Sequence, residues 1–201
     1  MFITFEGMDG SGKTTQATML KEYLDKKGVK NILVREPGST MVGEKLRQIV
    51  LTDKENIIDP ITEVYIFASS RSQLVREVIK PSLKDNIVVI CDRFVQSSLV
   101  YQGVARGLSE QTVSDINKIA INGLEPDVTF FIDIPAEVSV SRKKGTELDR
   151  IEIEQAGFQN LVYNGYQEIA KKSNFTKIDG TGKVEDIHMQ IIKHVDQLLN
   201  N

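Results

Sequence analysis

"FITFEGMDGSGKTTQATMLKEYLDKK", residues 2–27, decides the fold. It opens on a short apolar run and closes on a stretch with helical periodicity. Between them lies "GMDGSGKTT", Gly7–Thr15. Three glycines, a lysine and three hydroxyls in so few positions suit a loop around an anion and not a core. Gly7, Gly12, Lys13 and Thr14 fit G-x-x-x-x-G-K-[ST], with a strand expected before and a helix after. The glycines let backbone N–H groups turn inward around phosphate oxygens, and the helix that follows points its positive end at the same anion. Lys13 is placed to reach the β- and γ-phosphates and the Thr14 hydroxyl to face a nucleotide-bound Mg²⁺. Met8, Asp9, Gly10, Ser11 and Thr15 complete the expected ATP-binding loop. A flexible glycine loop with a solvated lysine is the plain alternative, and the strand–loop–helix context speaks against it.

Outward from this unit, short β-rich runs alternate with longer amphipathic ones. "FITFE" (2–6), "NILVRE" (31–36), "NIVVICD" (86–92), "VTFFIDI" (128–134) and "FTKID" (175–179) read as strands. Helical periodicity runs over 13–27, 39–51, 60–80, 109–123, 135–144, 156–172 and 184–199. Pro60 suits a first helical turn, Ser109 a cap, and Gly28 and Gly123 helix ends. Apolar strands alternating with helices indicate one α/β domain, 1–201, around a mainly parallel sheet covered on both faces. The basic stretch "KKGTELDRIE", 143–152, is expected to be a mobile insertion.

Composition narrows the class. The chain has 201 residues, 40% of them hydrophobic, enough for one substantial core. A net charge of −3 argues against a broad nucleic-acid surface, so no nucleic-acid partner is expected. Cys91 alone excludes an internal disulfide framework and a cysteine-rich zinc site. No apolar run approaches membrane-spanning length, and the N-terminus lacks the pattern of a secretory leader. A cytoplasmic protein without a membrane partner is the expectation.

A phosphate loop alone does not separate switches, motors and kinases. "IVVICDR" places Asp92 at the carboxyl end of an apolar strand, where ligands of parallel sheets gather. There it can hold Mg²⁺ through water or simply cap a turn. A guanine-nucleotide switch wants N-K-x-D, but "NKIA" (117–120) has Ala120 in the aspartate position, and "DRFV" at 92–95 is no D-x-x-G element. Arginines spread along the chain suit a reaction that brings two phosphorylated molecules together, because a guanidinium pairs with two phosphate oxygens and stays charged.

"FITFEGMDGSGKTTQ", "REPGST", "GEKLR", "FASSRSQ", "DRFVQSSLVYQG", "PDVTFFID" and "LDRIE" stand in the order and approximate spacing of thymidylate kinases. The resemblance runs from Phe2 to about Asp179. It implies a P-loop nucleoside-monophosphate-kinase fold, a five-stranded parallel sheet flanked by helices. It implies transfer of the γ-phosphate of ATP to dTMP, giving dTDP and ADP with Mg²⁺ as cofactor, on the path to dTTP, in a homodimer.

By the same resemblance, Phe67 stacks on thymine, Arg71 reaches a base carbonyl, and Gln102, Ser97 and Ser98 line the base pocket. Tyr101 sits against the sugar. Glu36, with Pro37, lies near the 3′-hydroxyl or the metal, and Arg47 and Arg93 bind the acceptor phosphate. Lys13, Asp92 and Arg93 form the expected catalytic set, with Thr14 and Asp92 toward the metal. Gly10 stands where some relatives carry an arginine, so a lid of the bacterial type must supply the cation. Arg142, Lys143, Lys144 and Arg150 are the candidates. Arg150 of "LDRIE" is the first choice, with Glu152 to orient it, and Arg142 is placed with ATP. Departures are Ser39, where glycine is usual, and Val100, where a small residue is usual. A kinase for another nucleoside monophosphate and a nucleotide-binding regulator are the competing readings.

Overall fold

The computed structural model describes residues 1–53, 57–143, 150–151, 156–173 and 175–200. Residues 144–149 and 152, most of the expected insertion, lie outside them. The chain opens with β1 (Phe2–Glu6), α1 (Lys13–Lys26), β2 (Asn31–Arg35), α2 (Met41–Thr52) and α3 (Pro60–Leu74). A π-helical stretch (Val75–Ile79) carries α3 into α4 (Lys80–Lys84), then comes β3 (Val88–Asp92). α5 (Val95–Ser98) runs into a second π-helical stretch (Leu99–Ala105), followed by α6 (Glu110–Ile121), β4 (Val128–Asp133) and α7 (Ala136–Arg142). α8 (Ala156–Lys172), β5 (Phe175–Asp179) and α9 (Val184–Leu199) complete it.

The five strands form one parallel sheet in the order β2-β3-β1-β4-β5. Both faces are apolar, as an all-parallel sheet requires. Ile3, Phe5, Phe130 and Ile132 pack against Leu20 and Leu24 of α1 and Ile187 and Ile191 of α9. On the other face, Phe131 meets Val162 and Tyr166 of α8, while Phe2, Val89 and Cys91 meet Leu74 and Val75. Cys91 is thus a small buried apolar group, as its alternation with Asp92 suggests.

β1 and β5 match the expected strands end for end, and the other three are one or two residues shorter. The helical run expected over 60–80 extends to 84 and widens to π geometry at 75–79, just ahead of Pro81. A proline ring crowds the carbonyl four residues back, and a wider turn relieves that contact. The helical segment over 95–105 is absent from the periodicity reading, because Gln96, Ser97, Ser98, Gln102 and Gly103 interrupt its apolar pattern. Pro60 opens α3 behind the Asp59 cap, and the Ser109 hydroxyl caps α6 by accepting from Thr112 N–H. No described helix is long and apolar enough to cross a membrane.

Candidate active site

Register brings the chemistry to one end of the sheet. Phe5 of β1 and Arg35 of β2 both lie level with Asp92 of β3, so three strands end together beneath the phosphate loop. Gly7 turns the chain there with φ +146, and a Cβ on it would stand 2.6 Å from the Ile132 carbonyl oxygen. Gly12, at φ +94, starts α1 in the left-handed region that glycine alone enters freely. Lys13 follows on the first turn and folds back over the loop, donating from Nζ to Met8 O at 3.1 Å. Burial, with Arg93 nearby, pulls the Lys13 pKa down from its ordinary value.

Asp9 gathers the cations. Its Oδ1 accepts from Arg93 Nη2 and lies 3.7 Å from Lys13 Nζ, and its Oδ2 accepts from the Tyr101 hydroxyl at 2.9 Å. Burial pushes the Asp9 carboxyl up, but Arg93 and then Lys13 outweigh it and hold it well below the usual carboxylate range. Arg93 has φ +71, a left-handed turn right after β3. Its Nη1 donates to Gly7 O, Ser97 Oγ and Tyr166 Oη at 3.0–3.2 Å. Glu6, the last residue of β1, braces this cluster from below. It accepts from Phe94 N–H at 2.8 Å, the Ser97 hydroxyl at 2.6 Å and the Tyr166 hydroxyl at 3.0 Å. Burial raises the Glu6 pKa against these contacts.

Asp92 accepts the Thr14 hydroxyl proton on Oδ2 at 2.5 Å, while its Oδ1 is buried without a hydrogen-bond partner among the described residues. That orphaned oxygen beside a loop hydroxyl suits a small hard cation taking oxygen ligands. No group of three or more His, Cys, Asp or Glu side chains forms a metal cluster among the described residues. A cation held here would therefore take its remaining oxygens from phosphate and water, the usual habit of Mg²⁺.

A cavity of about 390 Å³ opens beside the loop. Its lining includes all ten residues expected at the acceptor (Glu36, Pro37, Arg47, Phe67, Arg71, Arg93, Ser97, Ser98, Tyr101 and Gln102) together with Asp9, Lys13, Thr14 and Asp92. Phe67 is half-buried and packs on the apolar cluster of α8, so it is at once core and cavity wall. Arg47 reaches the Pro37 carbonyl at 3.0 Å.

Arg71 is the most constrained of these. It is 1% exposed and donates four hydrogen bonds within the protein. Nε donates to Glu36 Oε2 at 2.7 Å, Nη1 to Ser98 Oγ at 3.2 Å and to Asn117 Oδ1, and Nη2 to Phe94 O at 3.2 Å, with Nη2 also in ion-pair contact with Glu36 Oε2 at 2.6 Å. Burial pushes the Glu36 carboxyl up to about 7 despite Arg71, and its Oε1 has no hydrogen-bond partner among the described residues.

The expected lid cations separate. Arg142 lies on the phosphate loop, bridging Gly10 O at 3.3 Å and Gly180 O at 3.0 Å, and Lys143 lines the cavity. Arg150 is not among the described residues lining it. It is 8% exposed, donates from Nε to Val50 O at 2.9 Å and from Nη2 to Glu63 Oε2, and thus sits on α2 and α3. Its neighbour Ile151 does line the cavity. Lys144 and Glu152 lie outside the described residues. Residue-type reasoning overlooked Glu6, Glu63 and Tyr166. The available signal was a carboxylate ending the apolar run "FITFE" and another inside the apolar face of "PITEVYIFA".

The thymidylate kinase family model matches residues 5–191. The chain belongs to the thymidylate kinase family. It is 48% identical over 200 residues to the thymidylate kinase of Caldanaerobacter subterraneus subsp. tengcongensis, covering 98% of this chain and 96% of that protein. The thymidylate kinase of Thermosipho africanus is 45% identical over 202 residues, covering both chains completely. That of Symbiobacterium thermophilum is 40% identical over 201 residues, covering 99% of this chain and 94% of the other. Membership makes the chain an enzyme, a nucleoside monophosphate kinase, and its α/β sheet has the P-loop architecture of that class. Three stretches that carry the resemblance meet at the cavity: Arg35–Gly38 leaves β2, Asp92–Phe94 leaves β3, and Tyr101–Gly103 lies in the second π-helical stretch.

Proposed function

We propose that this site transfers the γ-phosphoryl group of ATP to dTMP, giving dTDP and ADP, by positioning and charge neutralisation. Phosphoryl transfer asks for two phosphorylated molecules in line and cations around the moving charge, with little covalent work from the protein. The observation that carries the reading is a single cavity whose wall holds the acceptor-type residues and whose end is the phosphate loop. Lys13, with Arg142 behind the loop, takes the donor phosphates. Arg93 and Arg47 take the acceptor phosphate, Phe67 offers a ring face to the base, and Tyr101 crowds the sugar against a 2′-hydroxyl. Thr14 and, through water, Asp92 hold Mg²⁺, which shields the charge on the phosphates. Arg150 reaches that charge only by leaving Glu63, so Arg142 and Lys143 are the nearer cations on the lid side, and residues 143–152 are read as the closing segment.

Met41 and Ile49 of α2, Tyr65 of α3 and Ile119 of α6 are more than half exposed although apolar. A homodimer that covers these helices accounts for them, and light scattering should give twice the monomer mass. The activity test incubates the protein with ATP, Mg²⁺ and each nucleoside monophosphate in turn, following ADP and diphosphate together. Strong preference for dTMP is expected. ADP release without acceptor preference would sink the acceptor-site reading, and ATP binding without turnover on any acceptor would move the weight to a regulatory protein.

A further inference from the structure

Glu63 has no part in the roles given so far, yet its carboxylate is completely buried and ties three side chains together. Oε1 accepts from Gln102 Nε2 at 2.8 Å and from Arg106 Nε at 2.9 Å, and Oε2 accepts from Arg150 Nη2. Glu63, Phe67 and Arg71 follow one another at four-residue spacing along α3, so the carboxylate continues the face that supplies the base-side wall. Gln102 lies in that wall too, 2% exposed, in the second π-helical stretch.

An amide has two unlike ends, an NH₂ that only donates and an oxygen that only accepts. A carboxylate shared with two guanidinium N–H groups offers acceptors alone, so the NH₂ of Gln102 is the end that must face it. Gln102 Oε1 accepts no hydrogen bond from any described residue. We propose that Glu63 is a positioning residue for base selection: by holding the Gln102 NH₂, it leaves the amide oxygen as what the cavity offers to the base. The inference rests on the reading of this cavity as the dTMP site. Thymine carries a donor at N3–H between two carbonyls, whereas cytosine carries a bare acceptor at N3. A fixed oxygen matches the first and repels the second. Were the amide free to turn, its NH₂ would meet cytosine equally well, and the distinction would be lost.

The test compares kcat/KM for dTMP and dCMP in the wild type, Glu63→Met, Gln102→Met and the double variant. Met keeps the length of Glu or Gln and removes every acceptor and donor. With Glu63→Met, KM for dTMP should rise roughly tenfold, the scale of one hydrogen bond, while the dTMP/dCMP ratio falls and kcat changes little. In the Gln102→Met background the same change should leave the ratio untouched, because neighbours acting through one contact are not additive. A merely structural Glu63 would depress both substrates alike and by the same factor in both backgrounds, and that overturns the proposal. No effect of Gln102→Met on dTMP also overturns it. A wild type inactive on dTMP would instead strike the reading of the cavity itself. Loss of Glu63 removes a buried carboxylate from Arg106 and Arg150; should that variant fail to fold, ¹⁵N-labelled Gln side chains in the wild type answer the question. The Gln102 NH₂ signals should hold their positions when dTMP binds, and a large shift would show the amide turning to the base.

Discussion

Replacing Arg71 with Met removes the one guanidinium that satisfies Glu36, Ser98, Asn117 and the Phe94 carbonyl together. Met fills much of the same space, so the loss is chiefly of charge and hydrogen bonds. Breaking a buried pair from one side costs about 3–5 kcal/mol. For a chain of this size that lowers Tm by about 6–20 °C. The deficit also depends on pH. Burial raises the Glu36 carboxyl from 4.5 to about 7 in the folded protein. A carboxyl raised in the folded state favours folding most below its unfolded value, and that contribution is lost as pH climbs through the folded one. In the wild type the loss is complete just above pH 7 and amounts to about 3 kcal/mol, from 1.36 kcal/mol per pH unit. Without Arg71, which pulls the carboxyl down, the group resists ionisation to still higher pH and the loss goes on growing. The variant should therefore trail the wild type by about 1 kcal/mol more at pH 8 than at pH 6. Thermal unfolding by circular dichroism at both pH values reads this directly. A variant that melts within two degrees or so of the wild type, or trails it equally at both pH values, refutes the account of Arg71 as the charge that holds Glu36.

Three further outcomes follow from the phosphate loop and its neighbours. Lys13→Met should lower kcat by about 100-fold or more through loss of charge at the transferring group, with a normal melting curve checking that the fold survives. Asp92→Asn should raise the Mg²⁺ concentration for half-maximal rate by about 10–100-fold, and an unchanged Mg²⁺ titration would remove Asp92 from the metal. Gly7→Ala forces a Cβ to 2.6 Å from the Ile132 carbonyl at φ +146, so a loss of about 2 kcal/mol or more is expected, visible as a shifted denaturant midpoint.

Much of this was legible because local patterns and global fold agree here. "FITFE" is a short, mainly apolar run that reads as a parallel strand, and β1 lies at the centre of the sheet with all five side chains buried. The periodic runs at 156–172 and 184–199 read as the helices they are. Legibility failed where a residue's partner is remote in sequence. Nothing near Glu63 announces Gln102 or Arg150, which are 39 and 87 positions away. Arg150 therefore reads as a lid cation from its local motif, while the fold gives it a buried carboxylate. Asp9 reads as one more loop residue until β3 brings Arg93 beneath it. The Val95–Ala105 segment escapes a periodicity reading because its side chains answer to the cavity as well as the core.

Asp9 gives the phosphate loop an internal surrogate for its ligand. Lys13 and Arg93 already share a negative partner, so an arriving nucleotide exchanges one anion for another and does not meet bare positive charge. The carboxylate keeps the cations in position between turnovers and offsets part of their mutual repulsion, which still helps to lower the Lys13 pKa. The gain on binding is then a difference between two attractions. A small anion brings too few oxygens to outbid a carboxylate that is already seated, so inorganic sulfate should compete poorly with ATP in a binding titration. A polyphosphate brings several at once, engages the loop N–H groups as well, and prevails by number.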